Sequence, residues 1–414
     1  MSNFLSQMTI SLVLVIEKLK RRGGIWFASR VIKRILLIVL WFMLLPAVIA
    51  LHLCGYRRVT VFTDRIGHLA AELDCFVKEQ RLGHLPNRRW FILAPPARVA
   101  NPHLLNYWRT HIRVIDSYPA CFLLEAMTLF KLFMVFDISD YLLNVNTTAK
   151  YYEVNAEWGS KKPILELTNE DRRRGKLLLR EMGVPENAWT VCFHSREGGF
   201  SPEDEALHAH RNSDVLNLIP AMNLVVANGG WCFRMGDASM TRLPEVPGVI
   251  DYAHHPAKSA WMDLFLCAQS RFFVGNSSGV FILSSVFGVP CALVNMIPIS
   301  TMGYAPHDIS IPKLLRQNGD YLKFTEIFDS PIADYRLTSL YRSSNIEIVE
   351  NSPEDICELV REMLEQIKNN HEVSLGDKNI KMKFSALLKP GNYSYGAASS
   401  IGVSFLRKHI NLLN

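Results

Sequence analysis

Apolar positions in the second half of the chain fall in short unbroken runs: WTVCFHS (189–195), WCFRM (231–235), GVIDY (248–252), RFFVG (271–275) and PCALVN (290–295). Runs of this kind are strands covered on both faces, as in a parallel sheet. Between them lie helical patterns: DVLNLIPAMNLVVANGG (214–230), SAWMDLFLCAQS (259–270) and VFILSSVFG (280–288). Strands alternating with helices predict a doubly wound α/β sheet. The first half is less regular. RRVTVFT (57–63) and RWFILAP (89–95) read as strands, LAAELDCFVKEQ as a helix, and NPHLLNYWRTH and FLLEAMTLFKLFM as helical stretches. A charged helix over 167–183 ends at Gly183 with Pro185 beyond, a stop signal that suits a domain end. A helix follows Pro353, and GVSFLRKHINLL reads as a last one. The expected architecture is two Rossmann-like doubly wound domains facing a cleft. The segments are 1–55 (basic, apolar, membrane-associating), 56–185 (first domain), 186–345 (second domain) and 346–414 (helices and tail).

A length of 414 residues suits two or three domains, and 49% apolar against 20% charged residues provides a large core. The net charge of +6 is unevenly placed: residues 1–60 hold nine Lys/Arg and one acid, so the remaining 354 residues carry −2. The body therefore gives no sign of a nucleic-acid partner. Residues 35–51 form a run of seventeen apolar residues, short of the ~20 a straight span needs. Arg30, Lys33 and Arg34 precede it, and Arg57 and Arg58 follow. The run starts too late, and without a small-residue cleavage site, to be a signal peptide. Three readings remain: a single-pass span with the N-terminus inside, an in-plane or re-entrant helix bent near Pro46, and a buried core helix. The in-plane reading is favoured, because LSQMTISLVLVIEKLKRR upstream is also apolar and then basic. The eight cysteines are scattered without a CxxC pair, as expected of reduced core residues.

The sharpest chemical feature is Gly275-Asn276-Ser277-Ser278-Gly279, set between a strand and a helix. A small-residue turn there leaves backbone N–H groups and hydroxyls at a helix N-terminus, a place suited to an anion. The alternative is an ordinary tight turn. Neighbouring strand ends carry Arg196 and Glu197, Arg234 and Asp237, and the loop between holds His208, His210, Arg211, Asn212 and Asp214. Arginines so placed suit bidentate recognition of a diphosphate; the competing reading is an ion-pair network with Glu197, Asp214 and Asp237. In the first half, Arg65, Gly67 and His68 open a helix, and His68 is a candidate general base with Glu72 and Asp74 as competing carboxylates. P-loop, zincin and nucleophile-elbow motifs are absent, as is a DxD pair, so no metal ligand and no cofactor is expected.

HSREGG, HRNSD, FRMGD, VIDYA and GNSSGVFILSSVFGVP, with RIGHLAAELD upstream, resemble a family of bacterial glycosyltransferases found in surface-polysaccharide gene clusters. The likeness covers most of residues 57–300 and implies the GT-B fold. More remotely, HSRE resembles the HxR motif of fucosyltransferases, which implies that Arg196 contacts a donor diphosphate; Glu197 departs from that pattern. The GNSSG turn resembles donor-phosphate turns of heptosyltransferase-like and epimerase-like proteins, pointing to Ser277, Ser278 and Gly279. The implied activity is sugar transfer from a nucleotide-sugar to a glycan or lipid-linked glycan in cell-surface polysaccharide synthesis, at the cytoplasmic face of the inner membrane. Donor binding would fall to Arg196, Arg211, Asn212, Arg234, Asp237, Ser277, Ser278 and Gly279, with Arg65, Gly67 and His68 on the acceptor side and His68 and Arg196 catalytic. A nucleotide-sugar 2-epimerase and a non-catalytic subunit of a polysaccharide assembly complex are the rival readings.

Overall fold

The computed structural model describes residues 24–25, 28–127, 139–142, 149–200, 202–368 and 374–413. The upstream apolar segment 5–22, residues 128–134 of the expected helical stretch and residues 371–373 lie outside the described residues. The chain divides into two compact units: Met1–Thr60, Asn87–Ala97 and Ile112–Leu142 form one, and Val61–Pro86, Arg98–His111 and Leu143–Asn414 the other.

The first unit carries a parallel sheet of order β3-β2-β1-β4, with β1 Tyr56–Thr60, β2 Arg89–Leu93, β3 Arg113–Ile115 and β4 Ser139–Leu142. Its core joins Phe91 and Leu93 of β2 to Val48 of the helix Leu45–Leu53 and to Cys121 and Met127 of the helix Tyr118–Met127. The apolar run breaks into two helices, Ala28–Met43 and Leu45–Leu53, bent by 66°. Pro46 falls in the first turn of the second helix, where its missing N–H leaves no hydrogen bond unmade. Among the described residues no single helix is long and apolar enough to cross a membrane. The basic pair expected to flank the run on its far side is folded inward. Arg57 is buried, and its Nη1 donates to the carbonyls of His52 (3.2 Å) and Tyr56 (2.7 Å). Burial likewise lowers the pKa of Arg58.

The second unit is built on a seven-stranded parallel sheet: β5 Trp189–His194, β6 Gly230–Arg234, β7 Val249–Ile250, β8 Phe272–Gly275, β9 Cys291–Met296, β10 Ile309–Pro312 and β14 Ser400–Ile401. Its order is β14-β10-β9-β8-β5-β6-β7. Read from β7, the first six strands follow the 3-2-1-4-5-6 order of a doubly wound sheet, whose switch point lies between β5 and β8. Alternation along these strands sorts side chains between faces. Val191 and Phe193 of β5 and Phe272 and Val274 of β8 join the core under the helices Ile219–Ala227 and Pro353–Ile367, with Met222, Val225, Leu359 and Met363. Cys192 and His194 point the other way, where the Ser270 hydroxyl meets the Cys192 sulfur at 3.0 Å. β11 Leu314–Gln317, β12 Asp320–Tyr321 and β13 Ile346–Val349 make a small antiparallel sheet.

Side-chain caps set several helix starts: Thr168 accepts from Asp171 N (3.1 Å), Ser259 from Met262 N (3.2 Å), and Ser352 pairs reciprocally with Asp355. The pattern over 214–230, read as one helix, is a 3₁₀ turn, Val215–Leu218, followed by the helix Ile219–Ala227. Asp214 caps the turn by accepting from Leu216 N at 2.9 Å.

Candidate active site

The carboxyl ends of β5 and β8, on either side of the switch point, are where ligands bind in open α/β sheets. Asn276 ties the loops there together. Its Oδ1 accepts from the backbone N–H of Arg196 (3.1 Å), and its Nδ2 donates to the Arg211 carbonyl (3.2 Å) and the Ser213 hydroxyl (2.7 Å). The oxygen and both N–H groups of the amide are thereby satisfied, and the positions of both arginines are set by one buried side chain.

His194, the last residue of β5, is buried. Its Nδ1 lies 3.2 Å from the Met235 carbonyl, which can only accept, so the proton sits on Nδ1. Nε2 is then a lone pair and accepts from the Ser278 hydroxyl at 3.0 Å. Burial holds the imidazole pKa down at about 4, so the neutral tautomer persists at physiological pH. With its proton committed to His194, Ser278 presents its oxygen outward as an acceptor. The hydroxyl expected to donate to an anion is therefore arranged to receive a hydrogen bond. From the sequence His194 stood among the polar residues at the end of its strand and in the HSRE motif without a role of its own; its signal there was a polar residue ending a buried apolar run.

Ser277 is placed differently from Ser278. Its hydroxyl accepts from Ile297 N at 2.9 Å, while its carbonyl accepts from Nε (2.8 Å) and Nη2 of Arg211. Its side chain thus braces the end of β9, and its backbone orients Arg211. Arg196 donates through Nη1 to Asn212 Oδ1 and to the His208 carbonyl (3.2 Å), and lies 3.7 Å from Glu205. Asn212 in turn donates to Glu205 at 2.7 Å, so it positions Arg196. Burial and then the neighbouring Arg196 lower the Arg211 pKa to about 10, which leaves it charged. Lys313 is also buried, with Nζ on the Asn212 carbonyl (2.6 Å) and 3.6 Å from Glu350. Burial, reinforced by Arg211, His208, Lys313 and Arg196, pushes His210 down to about 3. The region is rich in positive charge, and Lys313, three residues into a short apolar stretch, was not singled out from sequence.

Arg234 stands apart. It is 0% exposed, and its Nη2 donates to Glu197 (2.7 Å) and the Thr241 carbonyl (2.8 Å), with Asp251 at 3.4 Å from Nη1. The ion-pair network holds it, and its guanidinium is turned away from solvent. Asp237 accepts from Ser239 N at 2.8 Å, and its buried Oδ2 meets no hydrogen-bond partner among the described residues.

The residues opening the helix Ile66–Leu82 belong to this same unit. A Cβ on Gly67 would stand 2.8 Å from Gly279 Cα, and one on Gly279 would stand 2.8 Å from Gly67 N. Two helix N-termini therefore meet backbone to backbone, which only glycine allows at both positions. His68 follows directly. Its Nδ1 lies 2.8 Å from Oε1 of buried Glu72, whose Oε2 accepts from Phe62 N at 3.0 Å. With the carboxylate on Nδ1, the half-exposed Nε2 is left as the basic nitrogen. Glu72 is thus the partner of His68 rather than its rival. Asp74 is fully buried between Lys78 (2.6 Å) and the Tyr304 hydroxyl (2.8 Å). Arg65 makes a paired contact with Asp204, at 2.8 and 3.4 Å. Among the described residues no group of three or more His, Cys, Asp or Glu gathers as metal ligands would.

No family profile and no curated protein matches this sequence. Solved structures do. The glycosyl transferase family 9 protein of Veillonella parvula DSM 2008 is 12% identical, with a TM-score of 0.46 over 75% of this chain and 98% of its own. The ADP-heptose lps heptosyltransferase II of E. coli is 11% identical, with a TM-score of 0.43 over 75% of this chain and 99% of its own. These two solved structures to which this chain is similar are glycosyltransferases, one of them a heptosyltransferase.

Proposed function

We propose that the protein is a glycosyltransferase of GT-B type that takes a sugar from a nucleotide-sugar and passes it to a hydroxyl of a glycan acceptor. The observation that carries this reading is the meeting of two kinds of chemistry through Gly67 and Gly279. On one side stand the guanidinium groups of Arg196 and Arg211 at the sheet's switch point; on the other stands an imidazole base held by a buried carboxylate. Departure of a nucleoside diphosphate from a sugar develops negative charge on phosphate oxygens. Fixed cations oriented by Asn212 and the Ser277 carbonyl stabilise that charge without reorganising. An acceptor hydroxyl gains nucleophilicity as its proton passes to Nε2 of His68, and Glu72 stabilises the imidazolium that forms. The acceptor oxygen bonds to the anomeric carbon as the bond from that carbon to the diphosphate breaks, and the proton remains on His68. A neutral His194 keeps the Ser278 oxygen free to accept from a sugar or ribose hydroxyl.

The test is transfer itself. Full-length protein is incubated with a panel of nucleotide-sugars and a glycolipid extract, and nucleoside diphosphate release is followed with and without acceptor. Acceptor-dependent release with one nucleotide-sugar is expected, lost in His68→Ala. Conversion of the donor to an epimer without acceptor would overturn the reading in favour of an epimerase.

A further inference from the structure

The helix Ala28–Met43 of the first unit carries an apolar stripe that nothing in the protein covers among the described residues. Ile32 (65% exposed), Ile35, Leu36, Val39, Phe42 and Met43 (72%) recur at i, i+3, i+4, i+7, i+10 and i+11, one face of a helix. The opposite face is the one turned to the protein: Leu37 and Trp41 are buried, and Lys33 meets Glu125 at 3.2 Å. Exposed apolar stripes of this extent mark interaction surfaces. We infer that this stripe docks on an anionic lipid bilayer, the helix lying in the headgroup plane with its apolar side down.

Charge argues for the bilayer as the occupant. Residues 1–60 carry a surplus of eight positive charges, and Arg30 and Arg34 stand exposed at the start of the helix. At the far end of the bent pair, Leu53 is 74% exposed beside a hollow of about 350 Å³ lined by Cys54, Gly55, Asn87, Arg88 and Arg89. Arg88 and Arg89 are exposed and supply the second basic flank that Arg57 and Arg58, turned inward, do not. Apolar side chains beside exposed guanidinium groups suit the acyl–phosphate boundary of an anionic leaflet. A second copy on the same stripe would bring the two positive surpluses together. The first helix alone is short for a straight crossing: its sixteen residues reach about 24 Å against the ~30 Å hydrocarbon core, and the apolar run then turns by 66° into the second helix.

Full-length protein is floated with vesicles of phosphatidylcholine alone or of phosphatidylcholine with phosphatidylglycerol. Wild type is expected to float with the anionic vesicles. Ile35→Glu with Phe42→Glu, both at exposed positions, should lower the bound fraction at least tenfold with an unchanged melting temperature. Arg88→Ala with Arg89→Ala should weaken binding several-fold on anionic vesicles only. Flotation unchanged by Ile35→Glu with Phe42→Glu would overturn the proposal. So would a soluble wild-type dimer that these substitutions dissociate, which would assign the stripe to a second copy. A wild-type monomer that does not float would assign it to residues 1–23.

Discussion

The neutral state of His194 is the most consequential electrostatic feature of the site, and it can be measured directly. Burial lowers its pKa to about 4 from an ordinary 6.5, so the unfolded chain binds the proton more readily than the folded one. Stability that is fully present above pH 6.5 must therefore fall as pH drops from 6.5 towards 4. Lowering from 6.5 to about 4, at ~1.4 kcal/mol per pH unit, makes His194 alone worth about 3 kcal/mol over that window. His210, lowered to about 3 by burial and its cationic neighbours, adds a loss of the same sign that continues to lower pH. Between pH 6 and 4.5 the two histidines should together steepen the pH dependence by up to ~2.7 kcal/mol per pH unit. Site-resolved deuterium exchange at imidazole C2, read by mass spectrometry, reports each histidine separately. Denaturant midpoints at the same pH values report the slope. His194→Gln, which can still accept from Ser278, should remove one proton from that slope. A His194 titration midpoint near 6.5 would refute the argument, and with it the assignment of Ser278 as an acceptor.

Three further outcomes follow from the geometry. Glu72→Gln places an amide N–H against Nδ1 of His68, drives the ring proton to Nε2 and removes the base; turnover should fall ~10²–10⁴-fold while nucleotide affinity, by calorimetry, stays within twofold. Gly67→Ala sets a methyl 2.8 Å from the Gly279 backbone and should cost about 1–3 kcal/mol, read as a lower melting temperature, whereas Gly376→Ala, with only the Ser374 hydroxyl at 3.8 Å, should cost nothing. Arg211→Met should weaken nucleoside diphosphate binding by ~1.5–3 kcal/mol in a folded protein, whereas Arg234→Met should cost about 3–5 kcal/mol of stability by taking the buried cation from Glu197, which keeps only Thr241, and from Asp251, which keeps Leu243 N and His254. Equal losses of affinity from the two arginine variants would restore Arg234 to the binding site.

Strands β5, β6, β8 and β9 were legible in the sequence because each is buried on both faces and must be apolar throughout. The helix following GNSSG was legible for the same reason, with a turn of small residues in front of it. β3 and β4, of three and four residues, lie between and beyond the stretches read as helical and were not read as strands, because so short a strand has no period to display. β14, two residues in a polar tail, joins the sheet only through its pairing with β10. At the site, side-chain type was readable but partnership was not. Sequence placed Ser277, Ser278, Arg211 and Arg234 near strand ends; hydrogen bonds between residues 37 to 84 positions apart decide which of them brace the fold and which face outward. The tautomer of His194 depends on a carbonyl forty-one residues away. Such facts belong to tertiary structure, and no local pattern encodes them.

The most direct test of the account is a thermal-shift titration of wild type and Arg211→Met with ADP, GDP, UDP and CDP, with and without magnesium. A ligand bound only by the folded state must raise the melting temperature by mass action. The account predicts a rise with one nucleoside diphosphate, unchanged by magnesium because Arg196 and Arg211 supply the positive charge, and moved to at least about tenfold higher ligand concentration in Arg211→Met. Either no rise with any of the four, or a rise that Arg211→Met leaves intact, would contradict it.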